Sequence, residues 1–105
     1  MRMLEDGIGE QGSEIQVSGL RFEYDPKRGP GKRVTDVSVG EDSLDEQRTY
    51  RVVTVDYLYT HPQFENSLGK GANVVYDGLH LDAVVEYIGK NSPIAPQVER
   101  RIRTR

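Results

Sequence analysis

Chemistry in this sequence has one evident place to sit, the run Tyr57-Leu58-Tyr59-Thr60-His61-Pro62-Gln63-Phe64. It is an aromatic-rich turn of the kind that hangs from the end of a strand and presents side chains to a ligand. His61 is a candidate acid-base group, but no strong partner stands near it in sequence, so a neutral surface histidine is the plainer reading. The second histidine, His80, falls at the start of a helical pattern, where a capping or surface position accounts for it. A two-metal hydrolytic site needs several Asp, His and Asn ligands converging on ions roughly 3.5 to 4 Å apart. Two histidines with no H-x-H or D-x-H pairing do not supply it, and no metal ion is expected in this chain. The absence of cysteine excludes disulfides and thiolate metal sites, and there is no Gly-x-Ser-x-Gly elbow for nucleophilic catalysis. Catalysis by this chain alone is not expected.

Two glycine patterns invite a phosphate reading. Gly7-Ile8-Gly9-Glu10-Gln11-Gly12 matches G-x-G-x-x-G, but that motif works only after a strand and before a helix, and neither is indicated. A flexible turn is the better reading. Gly69-Lys70-Gly71 lacks the Walker spacing and reads as a loop.

The aromatic turn needs a scaffold, and the residues before it suggest one. Tyr50, Val52 and Thr54 fall on one side of an extended chain and Val53 and Val55 on the other, so residues 50–56 read as a strand apolar on both faces, central in a sheet. Upstream, Ile15 and Val17 share one parity and Leu20, Phe22 and Tyr24 the other. The switch at Gly19 predicts a bulge or sharp bend. Asp25-Pro26-Lys27-Arg28-Gly29-Pro30-Gly31 is a turn by its chemistry, and Thr35, Val37 and Val39 mark a returning strand, completing a long hairpin. Residues 3–8 read as the last turn of a helix, and residues 72–76 as a short strand. The clearest helix spans residues 81–89: Leu81, Val84, Val85 and Ile88 form one apolar face, with Asp82 and Glu86 opposite. Residues 98–103 predict a last strand, and the basic run from Arg100 to Arg105 suits a solvated edge protected by its charges.

Composition bounds the rest. One domain of 105 residues, 35% hydrophobic and 30% charged, has enough apolar material for one modest core. A net charge of −3 argues against nucleic acid as a partner, and no apolar run approaches the roughly 20 residues of a membrane span. No signal-peptide h-region opens the sequence.

Several runs, taken in order, point to a family. Ile15-Gln16-Val17-Ser18-Gly19-Leu20-Arg21-Phe22-Glu23-Tyr24-Asp25-Pro26, Gly31-Lys32-Arg33-Val34, and Thr49-Tyr50-Arg51-Val52-Val53-Thr54-Val55-Asp56-Tyr57-Leu58 resemble the C-terminal domain of the 5′-nucleotidase and UDP-sugar hydrolase (2′,3′-cyclic phosphodiesterase) family. The likeness continues through Leu81-Asp82-Ala83-Val84-Val85-Glu86-Tyr87-Ile88 and Pro93-Ile94-Ala95-Pro96-Gln97-Val98-Glu99 to Arg101-Ile102. The resemblance implies a parent hydrolase of two domains: an N-terminal metallophosphoesterase domain holding two divalent metal ions, and a C-terminal domain that binds the nucleoside end of the substrate. It implies that this chain is most of the second domain, truncated on its N-terminal side, with the first domain as its partner in the same protein. Exposure of a sheet edge would then favour a homo-oligomer. A periplasmic, extracellular or cell-surface location also follows from the resemblance.

That family places a Gly-Gly-Asp-Gly-Phe/Tyr segment after its central strand, the aromatic ring stacking on the substrate base. Phe64 is the matching position, and stacking on a flat π-face contributes on the order of 1–3 kcal/mol for any base. This chain has Thr60-His61-Pro62-Gln63 where the family has glycines and an aspartate, one residue shorter. An aromatic anchor packing the loop onto the core is the other reading of Phe64. Asp56 either bonds a ligand hydroxyl or caps the following turn. The expected fold is α+β, a mixed β-sheet with a long hairpin and one main amphipathic helix packed on it. The expected function is nucleotide-substrate binding in a metal-dependent phosphoester hydrolase, through Phe64, Asp56 and His61. The alternative is a non-catalytic interaction or structural module that has lost nucleotide binding.

Overall fold

The computed structural model describes residues 1–9 and 12–104. In chain order the elements are α1 (Arg2–Asp6), β1 (Ile8–Gly9), β2 (Gly12–Ser13), β3 (Leu20–Tyr24), β4 (Val34–Val39), β5 (Asp42–Ser43) and α2 (Asp56–Thr60). Two 3₁₀ turns follow at Pro62–Phe64 and Leu68–Lys70, then α3 (His80–Asn91) and β6 (Ile102–Thr104). The architecture is α+β. A four-stranded mixed sheet runs in the order β5-β4-β3-β6, antiparallel except where β6 lies parallel to β3, and β1 and β2 make a separate ribbon.

β3 and β4 are the arms of the hairpin that the alternation predicts, with Leu20 opposite Val39 and Phe22 opposite Val37. Gly19, at the parity switch, has φ +82° and bends the chain into β3. The bulge lies at the other end: Glu23 pairs with Asp36 and Tyr24 with Val34, leaving Thr35 as the extra residue. Its hydroxyl donates to the Glu23 carbonyl at 3.2 Å. One inserted residue resets the in-out alternation, so Val34 and Val37, three apart, are both buried. The hairpin ends in a two-residue turn that starts on Gly40 at φ +61° and places Asp42 opposite Val39.

The core forms where α1 meets the sheet. Leu4 and Ile8 are buried with Phe22, Tyr24, Val34 and Val37, and Ile15, Val17, Leu20 and Ile102 pack around them. A five-residue helix is too short to be stable alone, and Glu5 supplies an anchor. Its carboxylate accepts the backbone N–H groups of Arg33 at 3.2 Å and Val34 at 2.7 Å, tying α1 to the start of β4. At the far edge, the Phe22 N–H donates to the Arg101 carbonyl at 2.7 Å, and the Arg101 guanidinium donates to the Val17 carbonyl at 2.9 Å. The basic C-terminal run thus includes an edge strand, as its charges suit; Arg105 lies outside the described residues.

Three expectations are corrected. Residues 51–55 form no strand: Val53 is 99% exposed, and the chain turns into α2 at Asp56. A run apolar on both faces needs long paired neighbours and cover on both sides, whereas the edge strands of this sheet, β5 and β6, are only two and three residues long. Just upstream, Tyr50 turns back on its own segment, its hydroxyl accepting the Asp45 N–H at 3.0 Å. Residues 72–76 are likewise not a strand, and Asn73 has φ 56°. Finally, α3 covers the periodic segment as expected, but its apolar stripe is open: Leu81 is 69% and Val85 61% exposed. Periodicity reveals which face of a helix is apolar, not which surface receives it. No helix among the described residues is long and apolar enough to cross a membrane.

Candidate functional site

The aromatic turn folds into α2 and the 3₁₀ turn Pro62–Phe64. α2 stops after five residues because Pro62 cannot continue it, and the Thr60 hydroxyl donates back to the Asp56 carbonyl at 3.1 Å. Pro62 then suits the first position of the 3₁₀ turn, where an N–H would have no partner. His61 caps that turn: its Nδ1 accepts the Gln63 N–H at 3.1 Å, and the Tyr57 ring lies against the imidazole with centroids 5.3 Å apart.

This cap decides what His61 can do. With Nδ1 accepting, the neutral imidazole carries its proton on Nε2 and has no free lone pair for general-base work. It can donate one hydrogen bond to a ligand. Asp56, the first residue of α2, is exposed, and its carboxylate has no hydrogen-bond partner among the described residues. It caps no turn by a side-chain bond and is free to accept from a ligand hydroxyl. Phe64 stands apart from both. It is 1% exposed, the most deeply buried large side chain among the described residues, so its ring anchors the loop here and offers no open face.

The loop is anchored to α1 and the segment after it through Asp6 and Glu14. Gln63 Nε2 donates to the Asp6 carbonyl at 2.7 Å and to Glu14 Oε2 at 3.0 Å, and Ser67 Oγ donates to Asp6 Oδ2 at 2.7 Å. Sequence reasoning passed over Asp6, Gln63 and Ser67. No local signal could have found them, because the Asp6 bonds join residues 57 and 61 positions apart. Of the glycine patterns, Gly7 to Gly12 follows a helix and carries the β1-β2 ribbon, which excludes the dinucleotide arrangement, while Glu10 and Gln11 lie outside the described residues. His80 is the exposed first residue of α3.

No group of three or more Asp, Glu and His side chains among the described residues could hold a metal ion. The donor set among the described residues therefore does not fit a two-metal centre.

The family model for the 5′-nucleotidase C-terminal domain matches residues 1–64, ending on the buried phenylalanine. The chain belongs to the 5′-nucleotidase C-terminal domain family. A 5′-nucleotidase-related protein of Glossina morsitans morsitans is 34% identical over 97 residues, covering 84% of this chain and 18% of its own length. The snake venom 5′-nucleotidase of Crotalus adamanteus is 28% identical over 106 residues, 92% of this chain and 18% of its own length. That of Macrovipera lebetinus is 29% identical over 100 residues, 87% of this chain and 24% of its own length. The chain thus spans about a fifth of the curated relatives it matches. No solved structure matches it.

In 5′-nucleotidase C-terminal domain terms, the match includes the hairpin, α1, α2 and the whole aromatic turn. The candidate site lies within the matched part. Two shallow clefts elsewhere, one beside Arg21 and Arg101 and one beside Arg48 and Tyr50, are lined by none of Asp56, His61 and Phe64.

Proposed function

We propose that this chain is most of the nucleoside-binding C-terminal domain of a metal-dependent 5′-nucleotidase-type hydrolase, which cleaves phosphoesters of nucleotides. The observation that carries the reading is the family match running through Phe64. In this reading the divalent metal ions and the catalytic groups belong to an N-terminal metallophosphoesterase domain of the same protein. The present chain supplies recognition of the base and sugar. Asp56 accepts from a ribose hydroxyl, His61 donates through Nε2, and Phe64 stacks on the base. Stacking requires the loop to lift, because the ring is 1% exposed. A periplasmic, extracellular or cell-surface location for the complete protein is part of the same proposal and rests on the resemblance.

One observation favours a second reading, a non-catalytic interaction or structural module. Thr60-His61-Pro62-Gln63 stands where glycines would let backbone approach a ligand closely, and the neighbouring ring is already committed to the interior. A titration of the chain with adenosine, AMP and UMP, followed by NMR, separates the two. Shifts clustered on residues 56–64 that vanish in Phe64→Leu support nucleoside binding. An absence of shifts at millimolar ligand, in this chain and in the complete protein, supports the module.

A further inference from the structure

We propose that Asp6, Gln63 and Ser67 form a latch that keeps the Phe64 ring covered, and that release of this latch is the step that opens the site. The function given to the opening rests on the nucleoside-binding reading above. Three side-chain hydrogen bonds tie residues 63–67 to distant chain: Gln63 Nε2 to the Asp6 carbonyl (2.7 Å) and to Glu14 Oε2 (3.0 Å), and Ser67 Oγ to Asp6 Oδ2 (2.7 Å). Asp6 is held in turn by Arg2, whose Nε lies 3.3 Å from the other carboxylate oxygen. Within the loop, the backbone bonds are local: Phe64 N–H to the His61 carbonyl, Glu65 N–H to Pro62 and Ser67 N–H to Phe64. A turn this short holds these bonds only while it is docked, so its amides report the docked state.

The flanks would permit such a movement. Residues 51–54 and 71–79 are exposed and lie in neither helix nor strand, so the turn is not clamped by sheet pairing on either side. Two of the three bonds, those of Gln63, are solvent-exposed, where water replaces a lost partner at little cost. The fastening is therefore strong enough to define a closed state and weak enough to yield to a ligand that binds the open one better. A ligand that needs the open state binds with an affinity reduced by the fraction open, so weakening the latch strengthens binding.

The test is hydrogen exchange at the Phe64 amide, which donates to the His61 carbonyl at 3.0 Å, in the wild-type chain and in Gln63→Ala/Ser67→Ala. Thr60→Ala, which removes a loop bond outside the latch, is the control. One net hydrogen bond changes an equilibrium by about fivefold, and the two exposed bonds of Gln63 together count for about one, so the double variant is expected to exchange roughly 25-fold faster at residues 63–67, with β3 and β4 unchanged. Unchanged exchange at Phe64, or exchange rising equally in β3 and β4, overturns the latch. Adenosine binding tightened by a comparable factor in the double variant supports the latch and its place in substrate binding. Equal adenosine affinity in the two chains, lost in Phe64→Leu, overturns the latch and leaves nucleoside binding standing. Faster exchange with no adenosine binding, in this chain and in the complete protein, supports the latch and overturns the nucleoside reading.

Discussion

Glu5 is the residue whose replacement tests the architecture most sharply, because α1 joins the sheet on one side and the aromatic turn on the other. Its carboxylate takes the Val34 N–H at 2.7 Å and the Arg33 N–H at 3.2 Å, both part-buried. Asp6, one residue along, takes the loop. Glu5→Ala leaves both backbone donors without their acceptor at the mouth of β4. Hydrogen bonds to a charged group contribute about 1.5–3 kcal/mol each, and partial exposure places these at the lower end, giving about 3 kcal/mol for the pair. For a domain of this size that corresponds to a fall in melting temperature of roughly 12–24 °C. Glu5→Gln keeps one oxygen for Val34 but turns an amide N–H₂ toward the Arg33 N–H, so about half the loss is expected. Urea unfolding monitored by far-UV circular dichroism measures both variants. If Glu5→Ala lies within 0.5 kcal/mol of wild type, α1 is not fastened to the start of β4 through Glu5.

Other consequences follow from the same geometry. Phe64→Ala empties a site where the ring is 1% exposed, and a loss of about 3–5 kcal/mol is expected in the same urea assay. Phe64→Leu, which retains most of the apolar bulk, should cost under 1.5 kcal/mol. Gly40→Ala meets no atom within 4 Å but must adopt φ +61°. A cost near 1 kcal/mol, with faster amide exchange confined to the β4–β5 turn, is the expected outcome. Val53→Thr, at a side chain 99% exposed, should leave stability within 0.5 kcal/mol; a loss above 2 kcal/mol would show that residues 51–55 are buried in a sheet.

The parts of the fold that were legible in the sequence are those whose signal is local. Leu20, Phe22 and Tyr24 alternate, residues 25–31 carry turn chemistry, and the returning valines complete a hairpin whose arms need only each other. The extent of α3 follows from a 3.6-residue period for the same reason. Residues 50–56 show the limit of that reasoning: Val52, Val53 and Val55 favour extended chain, but a strand exists only with a partner, and the edge strands β5 and β6 offer only two and three residues to pair with. The candidate site divides in the same way. Asp56, His61 and Phe64 were recognisable because they stand in one short run, and Phe64 as a loop anchor was one of its two readings. The depth of that burial and the bonds from Gln63 and Ser67 to Asp6 depend on contacts between residues up to 61 positions apart, whereas the Nδ1 cap on His61 spans two residues and depends on the geometry of the turn.

The measurement that bears most directly on the central claim is AMP hydrolysis by the complete protein that contains this chain, with Phe64→Leu beside wild type. Loss of a flat ring stacked on the base, at about 1–3 kcal/mol, predicts a KM for AMP raised roughly 5- to 150-fold with kcat largely kept. Hydrolysis with an unchanged KM would remove Phe64 from the substrate site, and no hydrolysis of any nucleotide by the wild-type protein would contradict the account as a whole.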